Sequence, residues 1–234
     1  MILPKKINPC PIIDALVEIR FIPNTHPNAV FGLIYSALQN SFQDVENLPI
    51  LQIPEPLRNI DPNLKFKPHY KISDKEYVVQ IGSDVISISS YPNYSGWTSF
   101  NNKIIDVLDK IEKSSVVKNI LRVGIRYINF FENDIFNKIN LNISINNSAI
   151  DYKSTVFRTE IIKSEFVNTL QVANNINHEG RNGSFIDIDT FSTANLDKFF
   201  IEKNNILNTG HQFEKEIFFS LLQKDFLNSL NPEY

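Results

Sequence analysis

Hydrophobic and polar residues alternate along two stretches of the chain with the two-residue period of a β-strand that has one buried face. The first stretch is 14–22, DALVEIRFI, in which every second residue is apolar: Ala15, Val17, Ile19 and Phe21. The second is 120–131, ILRVGIRYINFF, in which we expect four residues to face a core: Leu121, Val123, Ile125 and Tyr127. Both stretches therefore direct their charged residues to the other side of the predicted sheet.

Apolar residues spaced three to four positions apart predict three helical regions. One follows Pro27, one follows Gly96, and one occupies 209–230 as a single long helix or a broken pair. Thr209 and Gln212 match a capping box, which predicts that the last region begins there.

Turn-forming residues delimit further strands. The segment 47–68 contains prolines at 49, 54, 56, 62 and 68, which predicts an extended connector and a candidate partner-facing loop.

The stretches 65–73 and 75–82 predict a hairpin, and 84–91 continues it as a meander. In the second half, 141–145, 155–173 and 183–191 also have strand character. The middle one is too long for a single strand and must bend, bulge or split.

These elements predict an α+β fold with a bent, mostly antiparallel sheet and helices on one face. We expect an N-terminal lobe over 1–135 with the order strand, helix, meander, helix, strand. A C-terminal lobe over 136–234 would supply further strands and the long helix, packed as one unit with the first. Because strands followed by a helix recur in both halves, two similar sub-lobes remain an alternative.

The composition narrows the function classes. The 23 Lys and Arg residues against 26 Asp and Glu residues give a net charge of −3, so we do not expect nucleic-acid binding. The single cysteine, Cys10, excludes a disulfide framework and a cysteine-based zinc site. No stretch resembles a signal peptide or a membrane span, so we expect a cytoplasmic protein without membrane association.

Charged residues recur on the non-core side of three predicted strands. Four arginines lie there, with Glu18 and Glu160 beside them: Arg20, Arg122, Arg126 and Arg158. One interpretation is a solvated sheet face with cross-strand ion pairs. The other is a recognition surface, because guanidinium groups match carboxylates and phosphates.

Two further groups of residues are candidates for binding. Asp187 and Asp189 share one side of a strand and are weak candidates for a Mg²⁺ or Ca²⁺ site, although pairing with Arg158 or Lys163 is the alternative. Tyr94 and Trp97 lie in an aromatic turn that either packs against the following helix, forms a partner-binding surface, or serves as a stacking platform for unpaired bases, which the acidic balance disfavours.

No cluster of nucleophile, base and orienting acid can be assembled from the sequence, and we expect no cofactor. We therefore favour a non-enzymatic binding or regulatory subunit that recognises a protein partner, with homo-oligomerisation left open. The alternative is an enzyme or a binder of nucleotides or other anionic ligands that uses the arginine-bearing face.

Five blocks of sequence together resemble one sporadically distributed, uncharacterised bacterial protein family with members of about this length. They are NPCPIIDALVEIRF (8–21), GWTSFNNKI (96–104), RVGIRYINFF (122–131), FIDIDTF (185–191) and FEKEIFFSLLQKDFLNSLNPEY (213–234). The first and third blocks are the most specific, whereas Cys10 and LLQKDF depart from the family pattern. The resemblance carries over no site residue. The family's patchy occurrence implies a mobile accessory gene, such as part of a phage-defence or toxin–antitoxin locus.

Overall fold

The computed structural model describes residues 2–234, except for the side chains of Asn59 and Ala149. It has an α+β fold, as predicted. The helices are α1 (Val30–Leu38), α2 (Glu55–Ile60), α3 (Trp97–Lys113), α4 (Phe199–Leu221) and α5 (Lys224–Ser229). The strands are β1 (Ile12–Pro23), β2 (Asp44–Asn47), β3 (Tyr70–Ser73), β4 (Tyr77–Ile81), β5 (Val85–Ser90), β6 (Val117–Glu132), β7 (Ser144–Ile145), β8 (Ser148–Ala149), β9 (Val156–Lys163), β10 (Phe166–His178) and β11 (Arg181–Ser192). None of the helices within residues 2–234 is long and apolar enough to cross a membrane.

Nine strands form one open, mostly antiparallel sheet in the order β2-β3-β4-β5-β1-β6-β11-β10-β9. The chain divides into two compact units that interleave along the sequence. The larger unit contains 14–125 and 191–208, and the smaller unit contains 2–13, 126–190 and 209–234. The sequence predicts two lobes that are each continuous along the chain. In the structure, each unit instead combines segments that are far apart in the sequence.

The larger unit has a sheet with two chemically different faces. On the inner face, the β1–β5 register pairs Val17 with Ile88 and Ile19 with Ile86, and all four side chains are buried. Tyr77 on β4 belongs to this face and stacks with Phe100 of α3. The inner face therefore lies against a helix, which buries the apolar half of each alternating strand.

The smaller unit has its own apolar core. Its members come from β6, the segment after it, β10, β11 and the C-terminal helices, and include Phe131, Ile135, Leu170, Ile186 and Phe218. Phe157 and Ile161 of β9 pack against this core from the last strand of the sheet. The alternation predicted for 183–191 is confirmed, since Ile186 and Ile188 are fully buried.

Several element boundaries differ from the sequence prediction. The connector after β2 is not extended throughout, since it contains a 3₁₀ turn over Pro49–Gln52 and α2. Proline favours the first turn of a helix, which explains why proline-rich sequence and short helices coincide here. Leu121 is 39% exposed rather than buried, because the first residues of β6 have little cover.

The structure also defines the boundaries of the two longest predicted segments. The 155–173 segment splits at Ser164 and Glu165 into β9 and β10, as its length required. The predicted helix start at Thr209 is wrong, because α4 begins at Phe199 and places Thr209 in its interior. A capping box is a local signal, and burial of residues such as Phe199 extends the helix beyond it.

A carboxyl group is fully enclosed in the smaller unit. Burial raises the pKa of Glu214 on α4 from 4.5 to about 8, with a weaker opposing effect from Lys215. Burial also lowers the pKa of nearby His211 from 6.5 to about 3. The two groups therefore affect stability with opposite signs over different pH ranges.

Replacing Glu214 with glutamine should flatten the pH dependence of stability above neutrality. A raised pKa stabilises the fold below the unfolded value and loses that contribution as pH rises through the folded value of about 8. His211 is neutral in the folded state over this range, and the unfolded chain loses its remaining histidine charge as pH rises past 6.5, which opposes the fall slightly. The wild-type free energy of unfolding should thus fall by roughly 1 kcal/mol between pH 6.5 and 8, and that of Glu214→Gln should not.

Urea unfolding at several pH values measures this difference. Glu233→Gln, at an exposed pair with Lys6, is the matched control and should keep the wild-type slope. Parallel slopes for Glu214→Gln and the wild type would contradict a neutral buried Glu214.

Candidate functional site

The outer face of the sheet in the larger unit carries a row of polar side chains. The β1–β5 register places Glu18 opposite Ser87 and Leu16 opposite Ser89, and the β4–β5 register places Gln80 opposite Ser87. Because these positions alternate with the buried ones, they all point away from the inner face. Arg20 is two residues from Glu18 on the same side of β1.

One carboxylate oxygen joins two of the predicted arginines. Arg20 Nε donates to Glu18 Oε1 at 2.7 Å, and Arg122 Nη1 from β6 donates to the same oxygen at 2.8 Å. The side chains are 33% exposed for Arg20, 22% for Glu18 and 12% for Arg122. Arg122 is thus enclosed, whereas Arg20 keeps a solvent-facing edge that a ligand could reach.

Aromatic rings cover both guanidinium groups. The Arg20 guanidinium lies 4.8 Å from the centre of the Phe66 ring, and the Arg122 guanidinium lies 4.4 Å from that of Phe191. Cations are attracted to the faces of aromatic rings, most strongly where water is excluded. Gly124 completes the arrangement, because a side chain there would collide with the Arg122 guanidinium. Two arginines and Glu18 are thereby held between two rings.

A cleft of about 550 Å³ lies between this face and the loop that leads into β3. Its floor comes from β1, β4 and β5, and its other wall comes from the loop. The lining residues are Leu16, Glu18, Arg20, Pro62, Asn63, Lys65, Phe66, Lys67, Pro68, Gln80 and Ser87.

Close backbone packing and one unusual backbone conformation position the loop. A Cβ atom at Gly82 would lie 2.9 Å from the Lys67 carbonyl oxygen and 2.7 Å from Val85 Cγ1. Phe66 has a φ of +59°, a conformation that is costly for a bulky residue. This backbone conformation accompanies the placement of the Phe66 ring against Arg20. The loop thus contacts the sheet through the backbone of Lys67 and through the ring of Phe66.

The cleft has an excess of positive charge. Arg20, Lys65 and Lys67 line it, and the one acid in the lining, Glu18, already accepts hydrogen bonds from two arginines. Burial raises the pKa of nearby Asp84, although Lys65 and Arg20 oppose that shift. Hydroxyl and amide groups of Ser87, Gln80 and Asn63 add neutral hydrogen-bonding partners. The lining is suited to binding anionic groups.

The other predicted arginines have different surroundings in the smaller unit. Arg126 Nε and Nη2 donate to Asp187 Oδ1 and Oδ2 at 2.8 and 2.6 Å, a two-point pairing. Arg158 lies 3.7 Å from Glu160, and both side chains are more than half exposed. Arg126 and Arg158 thus differ from the pair at Glu18 in both partner and burial.

The predicted aspartates do not belong to a recognisable metal centre. Asp187 pairs with Arg126, rather than with the predicted Arg158 or Lys163. Lys163 instead donates to Glu216 at 2.8 Å. Residues 2–234 contain no group of three or more His, Cys, Asp or Glu side chains that could hold a metal ion.

The aromatic turn packs against the helix that follows it. Tyr94 and Trp97 both approach Phe100 edge to face, with ring centres 6.3 and 6.4 Å apart. Trp97 Nε1 donates to Asn208 Oδ1 at 2.7 Å. These contacts agree with the packing interpretation of the turn, while its use in partner binding stays a prediction.

Sequence reasoning missed Lys65, Phe66 and Lys67 as site residues. Residues 65–73 have the composition of a strand, but β3 begins only at Tyr70. The available signal is the motif KFKP, in which two cations flank an aromatic residue beside a proline.

No protein-family model matches the chain, and no curated protein matches it as a relative. The resemblance to a bacterial family described above therefore stays a prediction.

Removing the charge of Glu18 should destabilise the larger unit. Glu18→Gln keeps the side-chain shape but removes the negative charge that Arg20 and the enclosed Arg122 share, so the free energy of unfolding should fall by about 2 kcal/mol. The matched control is Glu46→Gln, which removes an exposed cross-strand pair with Lys71 and should cost at most about 0.5 kcal/mol. Equal losses in urea unfolding would contradict the structural role of Glu18.

Adding a methyl group at Gly82 should displace the loop from the sheet. Gly82→Ala creates close contacts with the Lys67 carbonyl and Val85, and should lower the free energy of unfolding by about 1–3 kcal/mol. Gly32→Ala in α1 is the control, because nothing lies within 4 Å of its added Cβ atom. It should leave stability unchanged or raise it by up to about 1 kcal/mol. Limited proteolysis should cut 61–69 faster only in Gly82→Ala.

Proposed function

We propose that this protein is a binding protein that recognises an acidic segment of a partner protein in the cleft between the loop 62–68 and the outer sheet face. The observation that carries the proposal is the convergence of Arg20, Lys65 and Lys67 on one cleft. Glu18, the acid in its lining, is engaged by Arg20 and Arg122.

The rigidity of Arg20 supports this function. Its Nε is fixed by Glu18 and its plane by Phe66, so little side-chain freedom is lost when it binds a carboxylate. Lys65 and Lys67 are exposed, and their ammonium groups provide attraction at longer range. A fixed guanidinium with two flexible ammonium groups is a combination that favours both orientation and fast association.

The polarity of the cleft favours a protein segment over a compact small molecule. Small-molecule sites are usually enclosed and mainly apolar. Here two lysines, an arginine, a glutamate, a serine, an asparagine and a glutamine make up most of the lining, and the cleft is open to solvent. Ser87, Gln80 and Asn63 can bond with the peptide groups of an extended segment while the cations bind its acidic side chains.

Calorimetry with a short poly-glutamate peptide tests the proposal. The wild type should bind it with an affinity that falls as salt is raised, because the attraction is between exposed charges. Arg20→Gln and Lys65→Gln should each weaken binding at least about tenfold. Lys153→Gln removes the same charge from a side chain that is 86% exposed and outside the cleft, and should change affinity less than about twofold.

Two results would contradict the proposal. Equal weakening by Lys65→Gln and Lys153→Gln would mean that net charge, rather than the cleft, attracts the peptide. Inorganic phosphate that binds as tightly as the peptide would identify a small-anion site instead of a protein-recognition site.

A further inference from the structure

The strand β9 ends the sheet and has a free edge. It pairs with β10 over its whole length, from Lys163 opposite Phe166 to Val156 opposite Ala173. Within residues 2–234 it has a hydrogen-bonded strand neighbour on that side only. A long, regular edge of this kind can pair with another strand.

The turn after β9 determines which backbone groups point outward. Ser164 and Glu165 form a two-residue connection, so the flanking Lys163 and Phe166 close it by hydrogen bonding. Every second residue of β9, counting back from Lys163, therefore bonds with β10. The backbone groups of the other residues point to the free edge: Val156, Arg158, Glu160 and Ile162.

The same four residues present their side chains to solvent. Val156 is 67% and Ile162 is 77% exposed, two of the larger apolar exposures in the protein. Arg158 and Glu160 between them are 58% and 56% exposed. The edge thus has the order apolar, basic, acidic, apolar. When two such strands run antiparallel, each basic residue can lie opposite an acidic one and each apolar residue opposite an apolar one.

The other end of the sheet lacks these features. β2 has only four residues, Asp44–Asn47, and two of them are acidic. Short and charged edges are a common protection against strand pairing. β9 has eight residues, and the side with the outward backbone groups carries one base and one acid between two apolar residues, so it is not protected in this way.

We propose that β9 is a homodimerisation strand that pairs antiparallel with β9 of a second copy of this chain. With Thr159 on the twofold axis, Arg158 lies opposite Glu160 of the second copy and Val156 lies opposite Ile162 of the second copy. These opposing residues are the ones whose backbone groups point outward, so hydrogen bonding and side-chain pairing agree. The interface is isologous, so the pair of Arg158 with Glu160 of the second copy forms twice.

Charge also decides the register. A shift that places Glu160 on the axis keeps the backbone bonding but brings two Glu160 carboxylates together and sets Arg158 against Ile162. Like charges directly opposite each other are destabilising. The register centred on Thr159 sets both Arg158 side chains opposite Glu160 side chains.

Charge reversal tests both the interface and its register. Wild-type protein should show a concentration-dependent monomer–dimer equilibrium in sedimentation or light scattering. Arg158→Glu should place acid against acid, and Glu160→Arg should place base against base. Each single change should weaken self-association roughly tenfold or more. The double change, Arg158→Glu with Glu160→Arg, should restore it.

Mixing the two single variants gives the sharpest result. In a heterodimer of Arg158→Glu and Glu160→Arg, both facing pairs are again of opposite charge, so the mixture should dimerise although each variant alone does so weakly. Lys153→Glu changes an exposed cation outside β9 and should dimerise like the wild type. Circular dichroism and thermal unfolding confirm that each variant is folded.

Three outcomes would overturn the proposal. A wild type that stays monomeric over the whole concentration series would show that β9 does not pair with β9 of a second copy. Single variants that dimerise as well as the wild type place any dimer at another surface. Failure of the mixture to dimerise, with both variants folded, excludes the register centred on Thr159.

Discussion

The arrangement of the proposed recognition cleft depends on the hydrogen bonds that the carboxylate of Glu18 accepts from Arg20 and Arg122. A single oxygen accepts hydrogen bonds from guanidinium groups on two strands, and each guanidinium lies over an aromatic ring. This arrangement requires alternation in β1 and β6, a glycine at 124 and rings delivered by a loop and by β11. It compensates the charge of the enclosed Arg122 and leaves Arg20 fixed at the wall of a cleft.

The four predicted arginines have different roles. Arg122 is enclosed and structural, Arg20 is held yet accessible, and Arg126 is neutralised by two-point contact with Asp187. Arg158 is exposed on an edge strand, where a nearby acid of the same strand only weakly engages it. Burial and partner, rather than residue type, therefore determine which cation can bind a ligand and which one stabilises the fold.

The alternation of apolar and polar residues predicted most of the long strands, their inner and outer faces and the presence of Arg20 and Arg122 on the outer one, but it did not identify β2. The loop residues Lys65 and Phe66 could not be assigned to the site, because prolines break the periodicity there and Phe66 has a left-handed backbone. The pairing of Arg126 with Asp187 depends on the register between strands distant in sequence. The start of α4 depends on tertiary burial, which a local capping motif does not report.

Arg20, held by Glu18 and Phe66, is the residue proposed to contact an acidic ligand. The most direct test of this contact is the NMR spectrum of the arginine Nε–Hε groups during titration with poly-glutamate. A saturable shift of the Arg20 signal is expected, with the Arg126 signal unchanged because the Nε and Nη2 groups of Arg126 already donate to Asp187. Saturable shifts of Arg126 without a shift of Arg20 would contradict the account.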